Sequence, residues 1–500
     1  MHLSPRHLVP GLAALGLLAA CAGEEPSPEP AVPALEEIPI TTSSAAALAD
    51  FRAGQAALDV GRRRQANALF RSAAEKDPDF AYAYLNAANS AASAREFKEY
   101  LDLAAEHLAG KSEGERLLVE INRTFFDNDA ERRIRLAETL VEKYPRSPRA
   151  WLTLGFMQGG LNRNEAARDS MEKALELDPE MIAAHVALGY SYVFNEPKDF
   201  ELARESMERC VELDPDEAKA YENLGDVHRA LGELDKAREY YILATEKDPE
   251  LSVAHLKRGH ISSFLGDFDD ARLAYDLGVE GARGVDRANY ANYRAFTHLH
   301  RDDPESALAE LGELLESIDG MEIPQNQVAG AKIFTSANQA AIALHHRLFD
   351  RAREILAARA AVMRDNAEAI GDPGFRRLRE ADILLWEGRL AARRGDYEAA
   401  EAKAEAHREL LEGDANPRRF EGYHGLRGLI ALERRSYAEA VEHLRQANLT
   451  DVYVKYHLAL AEEGAGNAAA AKRLFAEVAA WNFNSVGFAL VRRDALERTG

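Results

Sequence analysis

The chain has 500 residues, 46% apolar and 29% charged, and its 62 Lys and Arg against 84 Asp and Glu give a formal net charge of −22. That length and composition suit a folded protein of more than one domain or a single long repeat array. The acidic balance argues against nucleic acid or an anionic membrane surface as the main partner, because both need clustered Lys and Arg.

The first twenty residues differ from the rest. Arg6 and the α-amino group form a short positive segment. Residues 8–20 are an apolar run broken by Pro10 and two glycines. The run is too short to cross a bilayer and has the length of a secretory signal core. No later stretch approaches a span of about 18 continuous apolar residues. The run ends in Leu18-Ala19-Ala20-Cys21, which resembles the lipobox of bacterial lipoproteins. In that family the cysteine thiol carries diacylglycerol and the freed amine is acylated, with palmitate among the chains used. The resemblance implies a signal peptide over 1–20 and lipid attachment at Cys21. Residue 22 is Ala rather than Asp, which in Gram-negative lipoproteins favours the outer membrane. The expected location is therefore the cell envelope, lipid-anchored and facing the periplasm.

Residues 21–44 read as a tether. Five prolines and a run of glutamates fall between 22 and 39, with no apolar periodicity from which to build a core. Near polyproline spacing the segment reaches roughly 70 Å. Ser43 or Ser44 then precedes an Ala-rich helical pattern and is placed to cap its first helix.

From residue 45 onward a unit of about 34 residues recurs. Segments end in EKDP (75–78), EKYP (142–145), ELDP (176–179), ELDP (212–215) and EKDP (246–249). Within the clearest units Gly155, Gly189 and Gly225, each after a Leu, and Gly259, after Arg258, fall inside the first helix, where glycine costs about 1 kcal/mol against alanine. Ala167, Ala203, Ala237 and Ala271 recur in the second helix. The glycines suggest a close approach of the paired helix. The small position continues backward to Ala66 and onward to Ala307, Ala352, Ala400, Ala440 and Ala471 at looser spacing. This pattern resembles the tetratricopeptide repeat (TPR). It implies an all-α, right-handed solenoid of about twelve antiparallel helix pairs behind an N-terminal disordered tether. The expected arrangement is a TPR array over 45–315 with the strict motif at 145–280, a degenerate TPR-like array over 325–480 and a capping helix over 481–500. Residues 318–330 and 364–375, which mix Gly, Pro, Asn and Asp, read as loops.

No catalytic motif is present: no G-x-S-x-G, P-loop, H-E-x-x-H or dinucleotide-binding glycine pattern. The pairs His298/His300 and His345/His346 are spaced so that their rings do not share a helical face, so no metal site is expected. Cys210 falls in a small-residue slot and reads as a buried, inert thiol. No enzyme activity and no cofactor are expected.

In TPR proteins the first helix of each unit lines a concave groove that holds extended peptides or partner helices. Carried onto this chain, the family's groove positions imply a site of Phe156, Tyr190, Phe194, Asp226, Arg229, Leu256, His260 and Phe264. It has apolar-aromatic patches around an acidic, polar centre. The resemblance implies a non-catalytic envelope-anchored scaffold for proteins or peptides of the cell envelope. The alternative is an outer-membrane glycan- or nutrient-binding lipoprotein; the short linkers and only three Trp weigh against it. If Cys21 is the anchor, Cys21→Ser moves the protein from the membrane pellet to the soluble fraction on cell fractionation. Unchanged sedimentation would refute lipidation there.

Overall fold

The computed structural model describes residues 35–499. The described residues form 25 α-helices and one short 3₁₀ turn, with no strand. The first 24 helices pair in chain order into twelve antiparallel hairpins, and the last, Val486–Thr499, is a single helix packed on Ala468–Ala479 and on Val285–His300. Stacked hairpins bury their apolar faces on their neighbours in the manner of a solenoid. The signal segment, Cys21 and residues 21–34 of the expected tether lie outside the described residues.

The repeat has a local physical cause at its closing Asp-Pro. Asp178, Asp214 and Asp248 end their helices in extended conformations, with φ near −135 to −142 and ψ near 87 to 92. A residue before proline is disfavoured in the helical region. Each Asp side chain then accepts the amide N–H two residues on, at 3.1 to 3.2 Å. The chain therefore stops, turns and restarts within a few residues.

The repeated glycines do mark a close approach, but the partner is larger than the recurring alanine. A Cβ at Gly225 would lie 2.6 Å from the Tyr241 ring, at Gly259 2.8 Å from Tyr275 and at Gly189 2.6 Å from Met207. The bulky residue four positions after the alanine fills the space each glycine leaves. Ala167, Ala203, Ala237 and Ala271 are buried alongside.

Three expected features differ. Residues 36–44 are part of the folded body rather than tether. Ile38 is buried. The Thr41 amide and hydroxyl donate to the Glu115 carboxylate at 2.9 and 2.6 Å, and Glu115 also closes a capping box with Ser112. A polar stretch without periodicity is here ordered by a buried acceptor supplied 74 residues away. Ser44 does cap the first helix, accepting from Ala47 N–H at 3.1 Å.

The loop expected over 318–330 contracts to 321–324, because a 3₁₀ turn at Ile318–Gly320 and the helix Gln325–His345 take the rest. The loop expected over 364–375 contracts further, because one helix runs to Ile370 and the next begins at Pro373. Gly371 ends the first helix at φ 73. Asp372 caps the second by accepting Phe375 N–H at 2.7 Å. Gly-Asp-Pro is thus a stop and a start in immediate succession.

The array also closes on itself. Arg62 pairs with Glu217 at 3.0 Å and Arg149 with Asp59 at 2.6 Å. Asn128 donates to Asp414 at 3.0 Å, and Asn416 donates back to Asn128. Gln327 donates to Glu96 at 3.3 Å.

Gly225→Ala forces a methyl into Tyr241, and overpacking of this kind costs about 1–3 kcal/mol. Gly330, exposed in mid-helix with nothing within 4 Å of a Cβ, is the control, where alanine gains up to about 1 kcal/mol of helix propensity. Thermal unfolding should show opposite signs for the two variants.

Candidate functional site

The helices Ile182–Phe194, Ala218–Ala230 and Ser252–Leu265 carry most of the expected groove positions. Six of the eight residues are brought to one region, Leu256 packs into the core, and Phe156 is set apart as an exposed ring at 50% accessibility. The region is covered by the chain's own residues 481–492, which return across it.

Phe483 is the centre of the contact. Its ring lies 4.6 Å from that of Phe194, and the Arg229 guanidinium carbon is 4.1 Å from its centroid. Phe194 in turn stacks on Tyr190 at 5.8 Å. Asn484 follows and is buried. Its amide donates to the Tyr275 hydroxyl at 3.1 Å and approaches His260 Nδ1 at 3.3 Å. Its carbonyl oxygen lies 3.3 Å from His300 Nε2. The Tyr275 hydroxyl in turn lies 2.8 Å from His260 Nδ1. Phe264 meets Phe488 edge-on at 5.3 Å, and Arg492 donates to the Phe264 carbonyl at 3.2 Å.

The expected capping helix therefore does more than end the array: it also bridges to Phe264, far back along the chain. Leu256 is a correction. It is buried with Ala271 and Tyr275 in the core and offers no surface. His260 and Phe264 are likewise buried, because the returning segment covers them.

The acidic centre is neutralised from within. Asp226 pairs with Arg229 at 2.9 Å and with Lys257, and accepts from the hydroxyls of Tyr241 at 2.7 Å and Tyr190 at 3.1 Å. Glu222 is held by Lys219 and Lys257. Burial alone would raise the Asp226 carboxyl, but Lys257 and Arg229 overcome it and hold that group well below the usual carboxylate range. Burial, with Asp226 beside it, pushes the Tyr190 phenol well up. Burial and the nearby Arg229 and Lys257 hold His260 well below its ordinary value. Burial lowers His300 to about 4 against the opposing bond from Asn484.

The sequence reading missed Asn223 and Lys257, which occupy one register two residues before the glycines. Asn223 accepts from Tyr190 at 2.9 Å. The signal was present in the repeat alignment, where a polar residue stands at that register in two successive units.

Of the histidine pairs, His298, His300 and His345 each take a separate partner, His300 being the one at Asn484. His298 meets Glu310 at 2.9 Å and His345 meets the Tyr453 hydroxyl at 2.8 Å. Among the described residues no three His, Cys, Asp or Glu side chains converge as a metal ion would need. Cys210 is buried, its thiol pushed up to about 12 by burial, and its sulfur donates to the Ser206 carbonyl.

Family models for the tetratricopeptide repeat match residues 51–114, 148–181 and 198–251. These segments match the tetratricopeptide repeat, and the described residues form an all-helical α-solenoid. Solved structures that match part of the chain include MamA, 24% identical over 32% of this chain and 93% of that one, with a TM-score of 0.28. YrrB, described as a TPR protein with an unusual peptide-binding site, is 21% identical over 36% of this chain and 91% of its own, with a TM-score of 0.26. A tetratricopeptide repeat protein from Parabacteroides merdae is 11% identical over 58% of this chain and 99% of its own, with a TM-score of 0.34. No curated protein matches the chain.

A histidine held below its ordinary value refuses in the folded state a proton that the unfolded chain takes up. Stability is then full above about pH 6.5 and falls as pH drops toward the folded value. For His300 that window runs from about 6.5 down to about 4. His300→Gln keeps a donor for Asn484 and removes this proton. It should reduce the stability lost across that window by on the order of 1–3 kcal/mol, measured by urea unfolding at several pH values.

Proposed function

We propose that the chain is a non-catalytic scaffold of a bacterial cell envelope, held by lipid at Cys21 and binding proteins or extended peptides in its concave face. The observation that carries the peptide reading is the seat of Phe483 and Asn484. An aromatic ring enters between Phe194 and Arg229, and the next side-chain amide is read by Tyr275, His260 and His300. A surface that grips an extended segment by one buried ring and one amide can grip the same pattern on a partner. Aromatic and Arg anchors in desolvated pockets are where interface energy concentrates.

The chain's own segment is then a resident competitor. Being tethered, it acts at high effective concentration, and a partner gains access by displacing it. The partner class is an envelope protein presenting an aromatic residue followed by Asn. The location follows from the Cys21 motif and is the outer membrane, facing the periplasm. Catalysis has no part in this reading, because binding alone is asked of the groove.

The test uses a labelled synthetic peptide of residues 479–487 and fluorescence anisotropy. With Phe483→Ala and Asn484→Ala together, the seat is vacated and the peptide should bind at least tenfold more tightly than to the unaltered protein. A peptide whose Phe is replaced by Ala should lose that binding. Equal or absent binding by both proteins would refute the groove.

A further inference from the structure

A second concavity of about 500 Å³ lies on the other side of the returning segment, between it and the helices Pro373–Arg394, Glu421–Glu433 and Val452–Gly464. That volume falls within the range of small-molecule sites, about 300–1,000 Å³. Two of the chain's three tryptophans, Trp386 and Trp481, line it. Leu344 and Leu429 add apolar wall, and each ring also meets a cation, Trp386 with Arg359 at 5.3 Å and Trp481 with Lys198 at 5.0 Å.

A few polar groups converge on this interior. Arg393 is fully engaged: it donates to Glu433 at 2.8 Å, to the Tyr453 hydroxyl at 3.2 Å and to His457 Nε2 at 2.9 Å. Since Nε2 accepts from a guanidinium, His457 is neutral, and burial beside Arg393 keeps it so. Arg389, one turn earlier, differs. It is partly buried, with its guanidinium carbon 4.9 Å from the Trp386 ring. Among the described residues it has no carboxylate within ion-pair distance. The one carboxylate lining the cavity, Asp451, caps its helix by accepting Tyr453 N–H at 2.8 Å. In a chain with 22 excess negative charges, this cavity presents a guanidinium with no counter-ion above aromatic walls.

We propose that this cavity binds a small organic anion, a carboxylate on a flat body of one or two apolar rings, with the rings against Trp386 and Trp481 and the carboxylate paired to Arg389. Arg is suited to this role because its planar fork meets a carboxylate through two parallel hydrogen bonds. Arg393 supplies positive potential without being free to take the anion, since Glu433 and His457 already hold it. One wall of the cavity is the segment that fills the TPR groove, so an occupant would brace that segment in place. The site shares this wall with the groove but does not depend on Cys21, and its test needs no groove partner.

The experiment is isothermal titration of the full chain in detergent with naphthalene-2-carboxylate and with its uncharged analogue naphthalene-2-methanol. The carboxylate should bind with one-to-one stoichiometry and at least tenfold more tightly than the alcohol. Arg389→Gln should weaken the carboxylate about tenfold and leave the alcohol unchanged, with Arg389→Lys recovering part of the loss. Trp386→Leu should weaken both ligands. Equal affinity for the two ligands, or no binding of either by the unaltered protein, overturns the proposal without reference to any variant. So does a carboxylate affinity unmoved in a folded Arg389→Gln protein.

Discussion

Everything in this molecule rests on how closely two helices of one hairpin can approach. Where a glycine on the first helix receives Met207, Tyr241 or Tyr275 from the second, the pair becomes thin and flat enough to stack on its neighbours. The glycine is unfavourable in its own helix, yet it admits a large side chain into fully buried contact. The Asp-Pro ending then fixes where the next hairpin begins. Close approach within a pair and abrupt turning between pairs together generate the concave face on which the site is built.

That face is charged in a way that decides what it can hold. Asp226 and Glu222 would repel an acidic segment if they stood alone, but Arg229, Lys219 and Lys257 engage them at short range. The two Tyr hydroxyls on Asp226 leave few of its lone pairs open. What remains available to an incoming segment is the face of the Arg229 guanidinium and a set of neutral donors and acceptors. An aromatic ring and a carboxamide satisfy these without bringing charge into a desolvated site, and Phe483 and Asn484 are such groups.

The hairpin count and the helix-rich body were legible in the sequence, because both depend on contacts repeated every 34 or so residues. Gly155, Gly189, Gly225 and Gly259 pointed to a real constraint, but at three of them the contact is made by the bulky residue one turn after the recurring alanine. Tyr190, Phe194, Asp226, Arg229, His260 and Phe264 lie near one another under the returning segment, whereas Phe156 stands apart and Leu256 is core. Their cover was not legible. Asn484 meets His260 across 224 residues of sequence, and a period of 34 carries no information about such a contact. The same holds for residues 36–44, whose order comes from Glu115 and not from their own composition.

Open repeat arrays behave as one-dimensional chains in which each unit senses only its neighbours and can melt from an end. This array breaks that rule. Arg62 reaches Glu217 across 155 residues, Asn128 reaches Asp414 across 286, and the last helix is stitched to Phe264 across 228. Fraying the final hairpins would strip the middle of the molecule of its aromatic cover, and loosening the first would release both of its distant partners. Energy is thereby shared between units that the repeat alone would leave independent.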